Sequence, residues 1–192
     1  MTGTGDGDEV DRLREVLRDH PPVDDRERAS LAAFLDALDR LDRPFDRSAD
    51  PTHVTASGIV VGERGVVLHK HRRLGRWLQP GGHLDPGESP ATAVLRECAE
   101  ETGQAVRHPA GGPLLVHVDV HPAGGHVHLD LRYLVLGPDA DPAPPPGESQ
   151  EVAWFTWEEA DRLADGALSG ALRSARRVVP TSAGPEEWED TP

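Results

Sequence analysis

Apolar residues recur at helical spacing twice near the start of the chain. Val10, Leu13, Val16 and Leu17 form one stripe over Asp8–Arg18, and His20-Pro21-Pro22 then breaks the helix. Leu31, Phe34, Leu35, Leu38 and Leu41 form a second, starting near Asp25 and ending before Pro44. These stripes predict two helices packed against a main domain. Residues 1–7 carry no apolar pattern and are expected to be disordered.

At His53 the pattern changes. HVTASGIVV and, after a GERG turn, GVVLHKH read as strands. RRLGRWLQPGG reads as a loop. LLVHVDVH and HVHLDLRYLVL alternate apolar with polar residues and are joined by PAGG, which predicts an antiparallel hairpin. GPDADPAPPPGES is a Pro-rich loop and EVAWF a last short strand. Thr156 and Glu159 have capping-box spacing for a helix through about Ala164, and a further helix covers about Leu168–Val178. The acidic segment beyond Pro180 is expected to be disordered. Strands on both sides of one helix, followed by more helices, predict an α/β fold with a mixed sheet. The expected organisation is a helical extension (1–48), one domain (49–180) and an acidic tail (181–192).

The helix between the strand groups lies in GGHLDPGESPATAVLRECAEETG. Ser89 suits an N-cap, Pro90 the first helical position, and Gly103 the left-handed residue past the end. At about 100° per residue, Ala91, Val94, Leu95 and Cys98 share one arc, expected to face the core. Glu97, Glu100 and Glu101 share another, and Arg96 is spaced to pair with Glu100. Like charges three and four apart repel by a few tenths of a kcal/mol each. Clustered carboxylates supply hard oxygen ligands for Mg²⁺ or Mn²⁺; a solvated acidic face is the alternative the spacing leaves open.

Composition narrows the function. A net charge of −14 repels a nucleic-acid backbone, and no basic patch with interleaved aromatics appears, so long nucleic acid is not an expected partner. Cys98 is the only cysteine, so no intramolecular disulfide forms. No apolar run approaches membrane-spanning length, and the acidic start lacks the order of a signal peptide. A cytoplasmic protein without a membrane partner is expected.

The pattern Gly82, Glu88, Arg96-Glu97, Glu100-Glu101, Gly103 resembles the Nudix box and holds its charged and glycine positions. The departure is Gln104, where that family prefers an aliphatic residue. GIVV, RWLQPGG and EVAWFTWEEA resemble the family's flanking elements, so the likeness covers roughly residues 53–165. The resemblance implies an α/β/α sandwich with the box as a loop–helix–loop beside the sheet. It implies that Glu97, Glu100 and Glu101, with the carbonyl of Gly82, bind metal, and that Glu88 and Arg96 support the site. It further implies Mg²⁺-dependent hydrolysis of a nucleoside diphosphate linked to another moiety, a small-molecule substrate. An extra glutamate serves as general base in some relatives; here Glu148, at the end of a mobile loop, is preferred over Glu151, which opens a strand. Homodimerisation stays open.

Other residues have weaker signals. Arg72, Arg73 and Arg76 precede the glycine loop and could clamp phosphates or form a solvated basic loop. His83 could touch a phosphate or simply sit in the loop. Trp77 could stack on a base, though core packing is preferred. With PAGG as the turn, His121 faces His126, Asp119 faces His128 and His117 faces Asp130. That set could bind zinc or line the pocket, but its spacing matches no common zinc signature, and a polar face with Asp–His pairs is preferred. Two rival functions remain: a non-catalytic sensor on the same fold, and a diphosphate isomerase, for which Cys98 on the core arc is poorly placed.

Overall fold

The structure, a computed structural model, describes residues 5–179. Helices α1 (Gly5–Asp19) and α2 (Asp25–Arg40) come first, as the two stripes require. Residues 1–4 and the acidic tail lie outside the described residues. Gly5–Gly7, expected to be disordered, form the first residues of α1. Leu13, Leu17, Phe34 and Leu38 are buried, whereas Val16 is half exposed.

Among the described residues seven strands follow: β1 (Thr52–Gly62), β2 (Gly65–Lys70), β3 (Trp77–Leu78), β4 (Gly81–His83), β5 (Leu114–Ala123), β6 (His126–Leu136) and β7 (Val152–Phe155). Their order is β3-β2-β1-β6-β5, with β4 also on β1 and β7 on β2. β1 and β6 run parallel and the other pairs antiparallel, so the sheet is mixed. The segment expected to be a plain loop supplies β3 and β4. β1 outruns β2, and its remaining edge at Thr55–Ser57 is paired by Gly81–His83, which satisfies backbone groups that would otherwise be orphaned.

Alternation along β1 sorts the core into two layers. Val54, Ala56 and Val60 join a cluster with Ala93, Val94 and Cys98 of α3 (Pro90–Thr102) and with Phe34 and Leu38 of α2. Ile59 and Val61 join a second cluster with Ala160 of α4 (Trp157–Leu163) and with Leu168 and Leu172 of α5 (Gly166–Val178). Helices thus cover both faces of the sheet, an α/β/α sandwich. Trp77 packs edge-on to Phe155 with ring centroids 4.8 Å apart, in the core role preferred for it. Thr156 and Glu159 form the expected capping box.

The hairpin turn is tighter than PAGG. Ala123 pairs with His126 around Gly124-Gly125, both at positive φ (59° and 94°), as the favoured two-residue hairpin turn requires. The register therefore moves: His121 faces His128, Asp119 faces Asp130 and, beyond a bulge between Leu115 and His117, His117 faces Arg132. The sequence expectation counted two residues too many in the turn.

β5 is an edge strand, and α2 covers its backbone. The amide of Val118 donates to Glu27 Oε1 (3.0 Å) and that of Val120 to Ser30 Oγ (3.1 Å). Glu27 is fully buried and also accepts from the Val23 amide, with His20 Nε2 2.7 Å from its Oε1. Burial pushes its pKa up, but the contacts from His20 and Val23 outweigh this and hold the carboxyl below its ordinary value. Glu27→Ala strands several buried donors and is expected to cost about 3 kcal/mol or more. Urea unfolding measures this; a loss below about 1 kcal/mol would show that the edge does not need Glu27.

Candidate active site

α3 is capped as its sequence demands. Ser89 Oγ accepts from the Thr92 amide, Pro90 occupies the first turn, and Gly103 takes φ 67°. Its buried face is rotated from the expected arc: Val94 and Cys98 point inward with Ala93 and Thr102, while Ala91 and Leu95 are half-buried. The anchor is Gly58 of β1, where a Cβ would lie 2.4 Å from Cys98 Sγ and 3.2 Å from a Val94 methyl. Only a glycine lets the helix seat this close. Gln104, the departure from the motif, is buried and donates from Nε2 to the Ala140 carbonyl (2.7 Å), tying the helix exit to the Pro-rich loop.

The rotation brings Glu97 and Glu101 against β4 and leaves Glu100 exposed. Glu101 Oε2 accepts from the Gly81 amide (2.8 Å). At Gly82 a Cβ would stand 2.7 Å from the Glu97 carboxyl, so a side chain here would push that carboxyl off the β4 backbone. Arg96 serves Glu88 (2.8 Å), Glu97 (2.9 Å), Glu100 (3.2 Å) and the His83 carbonyl (2.8 Å) at once. That holds the box loop to the helix but leaves several carboxylates sharing one guanidinium. Burial, then the charges of Glu100 and Glu88, raise the Glu97 pKa against the pull of Arg96. Burial raises that of Glu101 to about 8, helped by Glu97, Glu148 and Glu100 and opposed by the Gly81 amide. His69 Nδ1 lies 3.6 Å from Glu101, but its own burial lowers its pKa to about 4, so it is a poor counter-ion. Crowded oxygen donors short of positive charge, beside a glycine cradle, fit a hard divalent cation.

The raised Glu101 pKa makes the stability of the metal-free protein depend on pH. The folded pKa lies above the unfolded value, so the folded state keeps a proton that the unfolded chain has released. This contribution is complete below about pH 4.5 and is lost as pH rises through about 8. Metal-free protein should therefore lose melting temperature from pH 6 to pH 8.5, and Glu101→Gln should lose less. Equal slopes for the two proteins would contradict the shift.

Glu97, Glu101 and β4 form part of the wall of a cleft of about 690 Å³. Arg76, Arg73 and His83 also line it. Arg72 instead donates to the carbonyls of Gly147 and Glu148, so it fastens the loop that carries Glu148. Ser149 Oγ adds a bond to the Lys70 carbonyl (2.8 Å), and the loop expected to swing freely is tied to β2. Glu148 is half-buried and its charge reaches Glu101. Glu151 is paired with Lys70 at 2.7 Å.

Asp119 and Asp130, of the hairpin set that could line the pocket, do line the cleft, whereas Arg26, Thr55, Ser57 and Arg132 beside them were not foreseen. Asp119, Asp130 and Arg132 are buried and interlocked: Arg132 donates to Asp130 (2.9 Å), Asp119 (3.3 Å) and the Ala167 carbonyl (2.8 Å). Thr55 and Ser57 donate to Asp130 (3.0 and 2.9 Å). Arg26, from α2, reaches Asp119 at 3.0 Å. Burial raises the Asp119 pKa, yet His121, Arg132 and Arg26 outweigh it and bring it down to about 2. The alternation of DLRY puts Arg132 on the same strand face as Asp130, a signal that could have found it; nothing in the sequence linked Arg26 to it. The register leaves neither cross-strand Asp–His pair preferred for the hairpin, Asp119–His128 or His117–Asp130, face to face; His121 Nδ1 of the same strand lies 2.9 Å from Asp119 instead, and the arginines dominate the network. His121 and His128 line the cleft, and His117 packs against Gly170 of α5.

Among the described residues no helix is long and apolar enough to cross a membrane. A family model described as the NUDIX domain matches residues 51–176. An isopentenyl-diphosphate Delta-isomerase from Streptomyces griseus is 32% identical over 69% of this chain and 74% of its own length. A MutT-like protein from Streptomyces ambofaciens is 34% identical over 65% of this chain and 79% of its own. The crystal structure of a NUDIX-family hydrolase from Clostridium perfringens aligns over 66% of this chain and 97% of its own, with TM-score 0.56 and 26% identity.

Proposed function

Because the chain belongs to the Nudix hydrolase family, we propose that it hydrolyses the diphosphate bond of a nucleoside diphosphate linked to another moiety, with Mg²⁺ (or Mn²⁺) as cofactor. This reading is carried by the pair of half-buried carboxylates, Glu97 and Glu101, held at Gly81-Gly82 in a cleft wall, where Arg96 pairs with Glu97 and the Gly81 amide donates to Glu101. Glu97, Glu100, Glu101 and the Gly82 carbonyl would hold the cation. When bound, it neutralises diphosphate charge, acidifies water and steadies the leaving phosphate. Glu88 and Arg96 keep box loop and helix in register. Arg76 and His83, with Arg73, meet the phosphates from the cleft lining, each adding positive charge or a donor. Arg72 acts one step removed, by holding the Glu148 loop. Glu148 takes the proton of the attacking water as general base.

The isomerase named among the relatives supports a second reading on the same fold. Against it stands Cys98: the chain's one thiol is fully buried, its pKa pushed well up by burial, and it does not line the cleft. A sensor would bind the ligand without turning it over. Nucleoside diphosphate compounds incubated with Mg²⁺ or with EDTA, and assayed for released phosphate after phosphatase treatment, separate the readings. Mg²⁺-dependent release from at least one compound is expected. Binding without release would favour the sensor.

A further inference from the structure

Three imidazoles on three strands converge at the far end of β1 from its turn with β2. The register places them: His53 of β1 pairs with His128 of β6, and β4 brings His83 opposite Thr55, on the same face of β1 as His53. Each offers a ring nitrogen, and these atoms lie within 4.8 Å of one another. Ring centroids are 5.1 Å apart for His53–His83, 5.3 Å for His53–His128 and 5.1 Å for His83–His128.

The geometry points to a second metal site, separate from the carboxylates, in which His53, His83 and His128 bind Zn²⁺. His53 is 1% exposed, and its Nε2 is buried with no hydrogen-bond partner. Its Nδ1 lies 3.3 Å from the Asp50 carbonyl, an atom that can only accept. The ring proton is thereby placed on Nδ1, which leaves the lone pair of the unpartnered Nε2 free for a metal. An outer carbonyl that fixes the tautomer and leaves the other nitrogen free is the usual support of a metal-ligating histidine. Thr52 donates to Asp50 Oδ1 (2.7 Å) and steadies the turn that presents this carbonyl.

Donor chemistry selects the ion. Three neutral nitrogens suit Zn²⁺, whereas Mg²⁺ prefers oxygen. Zn–N bonds of about 2.0–2.1 Å put tetrahedral ligand nitrogens about 3.4 Å apart, so the present spacing closes with small ring rotations. His83 and His128 also line the cleft, so the fourth position faces the substrate space. Three histidines with one open position can hold water or a substrate oxygen. His83 directly follows Gly82, so β4 would join a hard-oxygen site to a nitrogen site through adjacent residues.

Co²⁺, a spectroscopic stand-in for Zn²⁺, tests the site on the full-length chain without an activity assay. After chelator treatment, one equivalent should give the visible absorption of a four-coordinate nitrogen site, displaced by Zn²⁺ but not by millimolar Mg²⁺. His128→Ala and His83→Ala should each weaken binding by at least about 10-fold, the lower end of what losing even an outer partner costs. Glu97→Gln and Glu101→Gln should keep the spectrum. Circular dichroism checks that the variants fold, and two single-ligand changes keep the test open if one does not. Absorption that Mg²⁺ abolishes, that vanishes in the glutamate variants, or that survives both histidine changes would overturn the proposal.

Discussion

Glu101→Gln is expected to lower Mg²⁺-dependent turnover by about 10²-fold or more while leaving the metal-free protein as stable or slightly more stable. The carboxylate is half-buried among Glu97, Glu100 and Glu148, and burial with these charges raises its pKa to about 8. Its one favourable backbone contact, from the Gly81 amide, can be kept by the amide oxygen of glutamine. The substitution therefore removes repulsion without stranding a donor, yet deletes an anionic ligand. Function and folding want opposite things at this position. Melting temperature and turnover measured on one preparation separate them. Wild-type turnover in the variant would remove Glu101 from the metal site, and a large stability loss would make it a structural residue.

Glu148→Gln is expected to lower kcat by about 10²-fold or more with little change in KM, the signature of a lost base rather than lost binding. Glu151→Gln serves as the control, since Glu151 is engaged with Lys70 at 2.7 Å. Arg72 and Ser149 hold the Glu148 loop against β2. Arg72→Ala should accordingly reproduce part of the Glu148 defect in kcat. A large kcat loss confined to Glu151→Gln would transfer the role to that residue. A small loss in both would leave a box glutamate as the base.

Local signals proved readable in the chain wherever one residue's conformation settled the matter. Ser89, Pro90 and Gly103 bounded α3 because caps act within a turn of the helix. Thr156 and Glu159 marked α4 for the same reason. Features set by tertiary contact were not readable. β4 exists because β1 has an unpaired edge, which depends on how far β2 runs beside it. The rotation of α3 follows from Gly58, a residue on another element. The hairpin register is the exception, a local feature that was missed: Gly124-Gly125, both at positive φ, reverse the chain alone, where a four-residue PAGG turn was expected. The contribution of Arg26 to the cleft depends on α2 lying along β5, which an amphipathic stripe predicts only as packing somewhere. The His53, His83 and His128 cluster is scattered over three strands and has no linear signature at all.

The most direct test of the central claim is ³¹P NMR of a mixed pool of nucleoside diphosphate compounds and isopentenyl diphosphate, incubated with the protein and Mg²⁺ in ¹⁸O-enriched water. Diphosphate signals of at least one nucleoside compound should give way to monophosphate products, with one ¹⁸O on a single product phosphorus, and EDTA or Glu101→Gln should suppress this. Conversion of isopentenyl diphosphate with its diphosphate intact, or a pool left unchanged although a component binds, would contradict that claim.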